Sequence, residues 1–182
     1  MFESTNLVTA EELARLPDDG YRYELVEGRL IRMSPVSFDH GRVVMQMGFL
    51  LSRHLEQYPV GVIGTEIGFK LASNPDTVRG PDISFIRNER VPPRGKRGYF
   101  KGAPDLVIEV LSPDDRPRDT REKVEEYLAE GVPLVVVLDP DKRMATTFRP
   151  GISSVALRSL SNVLDLNEVI PGFHCQLREI FE

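Results

Sequence analysis

The chain has 182 residues, 41% hydrophobic and 28% charged, which is enough for one globular domain with a buried core. A net charge of -5 argues against a broad nucleic-acid-coating surface, and no apolar run approaches the roughly 20 residues that span a bilayer. The single cysteine, Cys175, excludes an internal disulfide, and the acidic start MFESTNLVTAEELARL lacks a signal-peptide pattern, so a reducing cytoplasm is the expected location.

Thr9 and Glu12 have capping-box spacing and predict a short helix with Leu13 and Leu16 on its apolar face. Pro17 to Gly20 end it. YRYELVEGRLIRMS reads as a hairpin turning at Glu27-Gly28. Ser37 is placed to cap a longer helix over 38–57, where Val43, Val44, Met47, Leu50, Leu51 and Leu55 recur at helical spacing. Residues 62–71, VIGTEIGFKL, read as one strand with Glu66, Gly68 and Lys70 on one face, followed by a turn at 73–76. PDISFI, 81–86, is the next strand.

Residues 87–101 are basic: Arg87, Arg90, Arg94, Lys96, Arg97 and Lys101 stand against Glu89 alone. Such a loop is either simply solvated or a phosphate-gripping element with Tyr99 and Phe100 free to stack on bases. DLVIEVL, 105–111, is an apolar strand interrupted by one carboxylate. A helix over 117–130 opens with Pro117 in its first turn, turns Val124, Tyr127 and Leu128 inward and ends at Gly131. LVVVLDP, 134–140, is a strand covered on both faces. This β–α–β succession implies parallel pairing. The remainder reads as short strands closing with a short helix in QLREIFE.

Two carboxylates stand out. Asp82 starts a strand, where aspartate is disfavoured. Glu109 sits between Ile108 and Val110 inside an apolar strand, where an ionised carboxylate needs a cation, hydrogen bonds or a raised pKa. A hard divalent cation such as Mg²⁺ meets that need, and so does an ion pair with Arg or Lys. Lys123 and Tyr127 are i and i+4 neighbours, which sets Lys123 near the covered helix face, although surface is the ordinary place for a lysine there. His40 falls near the apolar stripe of its helix. Glu24 and Glu66 are spare strand carboxylates, each a candidate third metal ligand, with exposure the ordinary expectation. His54 and His174 have no partner spacing. No HExxH, CxxC, P-loop or GxSxG motif occurs.

Taken together, YELVEGRLIRMSPVSFDHGRVV, PDISFI, GAPDLVIEVLSP and REKVEEYLAEGVPLVVVLDP resemble the Uma-two family of restriction-endonuclease-like proteins, within the PD-(D/E)XK nuclease superfamily. The resemblance runs from about Tyr23 to the PGF at 171–173. It implies an α/β fold, a mixed sheet of restriction-endonuclease type with helices on its faces, in one domain over 1–182. It also implies Mg²⁺-dependent cleavage of DNA phosphodiesters, with Mn²⁺ able to substitute. Pro81-Asp82 matches the PD motif and Glu109-Val110-Leu111 the (D/E)XK motif. Leu111 thus stands where the superfamily has lysine, and Lys123 in the following helix matches the lysine typical of this family. The implied metal ligands are Asp82, Glu109 and the Val110 carbonyl. The implied catalytic set is Asp82, Glu109 and Lys123, with Glu24 and His40 as secondary members. Arg94, Lys96, Arg97 and Lys101 are the expected nucleic-acid contacts, and a symmetric homodimer would suit cutting two strands. The competing reading is a nuclease fold that binds nucleic acid or protein without reaction.

Overall fold

The computed structural model describes residues 7–95 and 98–182, so Lys96 and Arg97 of the basic loop lie outside the described residues. Thr9 caps α1 (Ala10–Leu13) with its hydroxyl on the Glu12 amide while the Glu12 carboxylate returns to the Thr9 amide, the reciprocal pair its spacing predicts. The hairpin is β1 (Arg22–Val26) and β2 (Arg29–Met33). Glu27 and Gly28 both take positive φ, 48° and 76°, as a two-residue turn matched to strand twist requires. The helix α2 spans Phe38–Gln57, with the Ser37 hydroxyl accepting from the His40 amide.

Beyond α2 the reading of one strand over 62–71 does not hold. The segment divides into β3 (Gly61–Gly64) and β4 (Phe69–Ala72), which belong to different sheets. Between them Glu66 sits at φ 55° and its amide donates to the Pro81 carbonyl at 2.9 Å. A third strand, β5 (Thr77–Arg79), is wedged before the Pro81-Asp82 pair. The elements that follow are β6 (Ile83–Arg87), a 3₁₀ turn over 88–90, β7 (Phe100–Lys101), β8 (Leu106–Val110), α3 (Pro117–Ala129) and β9 (Val135–Asp139). The C-terminal part adds β10 (Met144–Arg149), β11 (Ile152–Leu157), β12 (Val163–Asp165), β13 (His174–Gln176) and α4 (Leu177–Phe181).

The larger sheet has the order β11-β10-β9-β8-β6-β3. Only β8 and β9 pair in parallel within it, through the α3 crossover. Its strands alternate between two apolar layers. Ile83, Phe85, Ile108, Val136 and Leu138 pack with Val43, Met47, Leu50 and Leu51 of α2 and with α4. Ile86, Val107, Val135 and Val137 face Val124 and Tyr127 of α3. The second sheet, β2-β1-β5-β4-β7, is joined to α1 by a small cluster of Ala10, Leu13, Leu25 and Val78. Asp76 locks that junction by accepting from the Ala10 amide and the Lys70 ammonium, each at 2.8 Å. Among the described residues no helix is long and apolar enough to cross a membrane.

Glycine is required at position 61, where a Cβ would collide with the Ile86 carbonyl oxygen and the Phe85 ring. Gly61→Ala is therefore expected to lower stability by about 1–3 kcal/mol in a urea titration, with the larger sheet shifting at β3. An unchanged midpoint would contradict the packing of β3 against β6.

Candidate functional site

Ile83 of β6 pairs with Ile108 of β8 in antiparallel register. One further step along that register sets Asp82 opposite Glu109, although 27 residues of chain separate them. Directly opposed residues of an antiparallel pair carry Cβ atoms roughly 5 Å apart, so the two carboxylates meet because the strands do. Asp82 Oδ2 accepts the Val110 amide at 2.7 Å and lies 3.2 Å from His40 Nε2. This contact brings the N-terminal turn of α2 to the sheet end. His40 is buried, and its Nδ1 has no hydrogen-bond partner among the described residues.

The opposite side of the site is built by α3. Val124 and Tyr127 anchor the helix on the sheet, and Lys123, one turn before Tyr127, reaches back to the strand end. Its Nζ donates to Glu109 Oε2 at 3.0 Å and lies 3.5 Å from Glu24 Oε1. The Tyr127 hydroxyl donates to Glu109 Oε1 at 2.8 Å. Lys123 is thus mostly buried and committed to two carboxylates.

Glu24 is buried, contrary to the ordinary exposure expected of it, because β1 lies beside β5 and turns this side chain into the junction of the two sheets. Its Oε1 accepts the Gly80 amide at 2.9 Å and its Oε2 accepts Arg79 Nη1 at 2.8 Å. Arg79 also grips both oxygens of Glu126 on α3, at 2.8 and 2.9 Å. Arg79 and Glu126 belong to the site and were missed from sequence. Lys123, Glu126 and Tyr127 do share an i, i+3, i+4 face, and that spacing was the available signal for Glu126. Glu66 behaves differently: it is exposed and pairs with Arg22 at the cleft mouth.

The result is a cleft of about 570 Å³ that contains Glu24, His40, Arg79, Asp82, Glu109 and Lys123. A larger groove, about 720 Å³, lies across α3 and includes Leu111, Val124, Leu128 and Phe148 but none of those six. The cleft lining carries six carboxylates (Glu24, Glu66, Asp82, Glu109, Asp114, Asp115) against four permanent cations (Arg22, Arg32, Arg79, Lys123), an excess of two negative charges when all six carboxylates are ionised. Burial raises Glu109, the Lys123 ammonium opposes that rise, and the nearby Asp82 and Glu24 charges add to it, leaving its carboxyl pushed up to about 7. Burial acts on Glu24 too, but Lys123 and Arg79 outweigh it and hold Glu24 below the ordinary carboxylate range. Burial alone would lower Lys123, but Glu109 and Glu24 keep it above the ordinary lysine range, so it stays charged.

A cation fits this donor set. The ligands are hard oxygens, and the uncompensated charge matches a divalent ion. Among the described residues no group of three or more His, Cys, Asp or Glu side chains is arranged to hold a metal. The donors on offer are two carboxylates, Asp82 and Glu109, fewer than an all-protein cage supplies.

Two of the loop's basic residues, Arg87 and Arg90, have architectural duties. Arg90 Nη1 pairs with Asp105 at 2.9 Å, and Arg87 Nε lies 3.7 Å from the same carboxylate. Phe100 packs on Phe69 with ring centroids 5.2 Å apart, and Tyr99 lies against Gly68 in the cleft wall; both rings are half-buried. Arg94 and Lys101 are exposed and lie outside the cleft lining, whereas Arg22 and Arg32 of the hairpin line it.

Comparison with known proteins follows the same line. The Uma2 family model, described as "Putative restriction endonuclease", matches residues 10–178. A solved structure from Anabaena variabilis, described as a putative nuclease belonging to DUF820, superposes with a TM-score of 0.83 at 20% identity, covering 96% of this chain and 97% of that one. At that identity the likeness shows the fold. No curated protein matches the chain.

Without metal, the folded protein keeps a proton on Glu109 that the unfolded chain releases above its ordinary value near 4.5. The stability from the neutral form is therefore full at pH 4 and lost as pH rises through about 7. In EDTA, Glu109→Gln is expected to flatten that decline, read from urea midpoints between pH 5 and pH 9. Parallel stability–pH curves for the two proteins would show that Glu109 carries no such strain.

Proposed function

Because the chain belongs to the Uma2 family, we propose that it is a divalent-metal-dependent endonuclease that hydrolyses phosphodiester bonds in DNA. The observation that carries this reading is the meeting of Asp82 and Glu109 at one sheet end with Lys123 beside them, in a cleft two negative charges in excess. In this reading Asp82, Glu109 and the Val110 carbonyl hold Mg²⁺, with Mn²⁺ able to replace it. The bound ion supplies Lewis-acid polarisation of the phosphate and a lowered pKa for an attacking water.

The chain's own groups do the positioning. Tyr127 and Lys123 each hold one oxygen of Glu109, which fixes the carboxylate plane. Val110 and His40 both hold a single oxygen of Asp82, Oδ2. Lys123 stays charged and stands where it can orient the attacking water or neutralise charge gathering on phosphoryl oxygens. It thereby takes the part that Leu111 cannot. Arg79 ties Glu24 to α3, keeping the helix that carries Lys123 in place. Arg22 and Arg32 line the cleft and are suited to the phosphates of an entering strand.

One observation favours a second reading, a binding module without chemistry. Both oxygens of Glu109 already have donors in this arrangement, so the fold does not need an ion to satisfy them. Metal-independent binding of DNA that survives Glu109→Gln would support that module over an enzyme.

The test uses supercoiled, linear and single-stranded DNA, with RNA alongside, in Mg²⁺ or Mn²⁺. Cleavage is expected with either ion and is expected to stop in EDTA. Asp82→Ala and Glu109→Ala are expected to remove it, by a thousandfold or more, and Lys123→Ala to slow it by about a hundredfold. Absence of metal-dependent cleavage of every substrate form, by protein shown to be folded, would sink the enzymatic reading.

A further inference from the structure

The outer face of α2 is apolar and uncovered among the described residues. Phe38, Met45 and Phe49 are 84, 75 and 55% exposed. With Gly41 and Ser52 they form one exposed stripe at spacings of three and four residues, opposite the buried stripe of Val43, Met47, Leu50 and Leu51. A stable surface helix does not need three large apolar side chains on its solvent side. Nor does it need glycine: Gly41 and Gly48 stand inside the helix, and a Cβ at either would meet nothing within 4 Å. Glycine is among the poorest helix formers, so its presence twice, with no packing reason within the chain, points to a close neighbour from outside.

The order of sizes along the stripe says what that neighbour is. If a second copy of α2 is laid antiparallel about a two-fold axis at Met45, Phe49 of each copy stands over Gly41 of the other. Phe38 stands over Ser52, and Met45 over its own symmetry mate. Large meets small at every level apart from the axis. The same operation leaves Asp39 of one copy within one turn of Arg53 of the other, on the same flank, and sets the two helix dipoles head to tail. A parallel pairing would instead set Phe38 on Phe38 and Gly41 on Gly41. Self-complementarity under a two-fold operation is the mark of an isologous interface.

We propose that the Phe38–Ser52 face of α2 is a homodimer interface, in which two copies pack antiparallel across Met45 with each Phe49 seated on the partner copy's Gly41. It rests on the helix surface alone and is independent of the nuclease reading. One helix pair covers less area than the roughly 1,600 Å² of a standard interface, so the dimer is expected to form in the micromolar range.

Sedimentation equilibrium of the full chain from about 1 to 300 µM is expected to show a monomer–dimer transition. Met45→Lys, which sets two ammonium groups face to face, is expected to leave a folded monomer throughout that range. Gly41→Leu has free space in its own chain. It is expected to raise the melting temperature of dilute protein while weakening the dimer at least tenfold, a combination that a merely structural glycine would not give. Register is tested by oxidation: Phe38→Cys and Ser52→Cys proteins are expected to cross-link when mixed, and neither by itself. A monomer at all concentrations, a dimer indifferent to Met45→Lys, or self-cross-linking of Ser52→Cys would each overturn the proposal.

Discussion

The antiparallel register of β6 on β8 is the constraint from which the site follows. Ile83 against Ile108 places Asp82 beside Glu109, and a slip of one residue would turn each strand's core face to the wrong layer. The apolar alternation that fixes this register is strong, because Ile83, Phe85 and Ile108 enter one core and Ile86 and Val107 the other. The same packing that stabilises the sheet therefore forces two carboxylates together at its end. Their repulsion is tolerated because Val110, His40, Lys123 and Tyr127 all offer hydrogen bonds or charge to the pair.

The second sheet completes the site rather than decorating it. β1 delivers Glu24 and β5 delivers Arg79, and both reach α3 through Lys123 and Glu126. The helix is thus held from below by apolar contacts and from its flank by a buried charge network. Truncating one member of such a network leaves its partners desolvated and unpaired, which costs more than the pair contributes as a whole. Arg79 and Glu24 are in this sense supports for the position of Lys123, whose ammonium stands beside Glu109.

The basic loop illustrates how charge on paper differs from charge in space. Arg87 and Arg90 are taken up by Asp105, and Phe100 is a half-buried wall of the second core. Of the positive groups that line the cleft, Arg22 and Arg32 come from the hairpin, Arg79 from β5 and Lys123 from α3. A net acidic protein can still offer phosphate contacts locally, because a few cations around a cleft act at distances shorter than the screening length.

The amino-acid sequence by itself determined the local elements. The Thr9 and Ser37 caps, the Glu27-Gly28 turn, α2 and α3 and the two-face burial of β9 follow from periodicity and capping chemistry that act within a few residues. It also marked Asp82 and Glu109, since a carboxylate in an apolar strand is conspicuous without any partner in view. Tertiary structure alone decided the break of 62–71 into two sheets, the burial of Glu24 and the clamp of Arg79 on Glu126. Those outcomes depend on which strand lies beside which, and strand pairing joins residues tens of positions apart by hydrogen bonds that any sequence can make. Charges whose partners are that distant carry no local signature, so only the assembled sheets reveal which are solvated and which hold the site together.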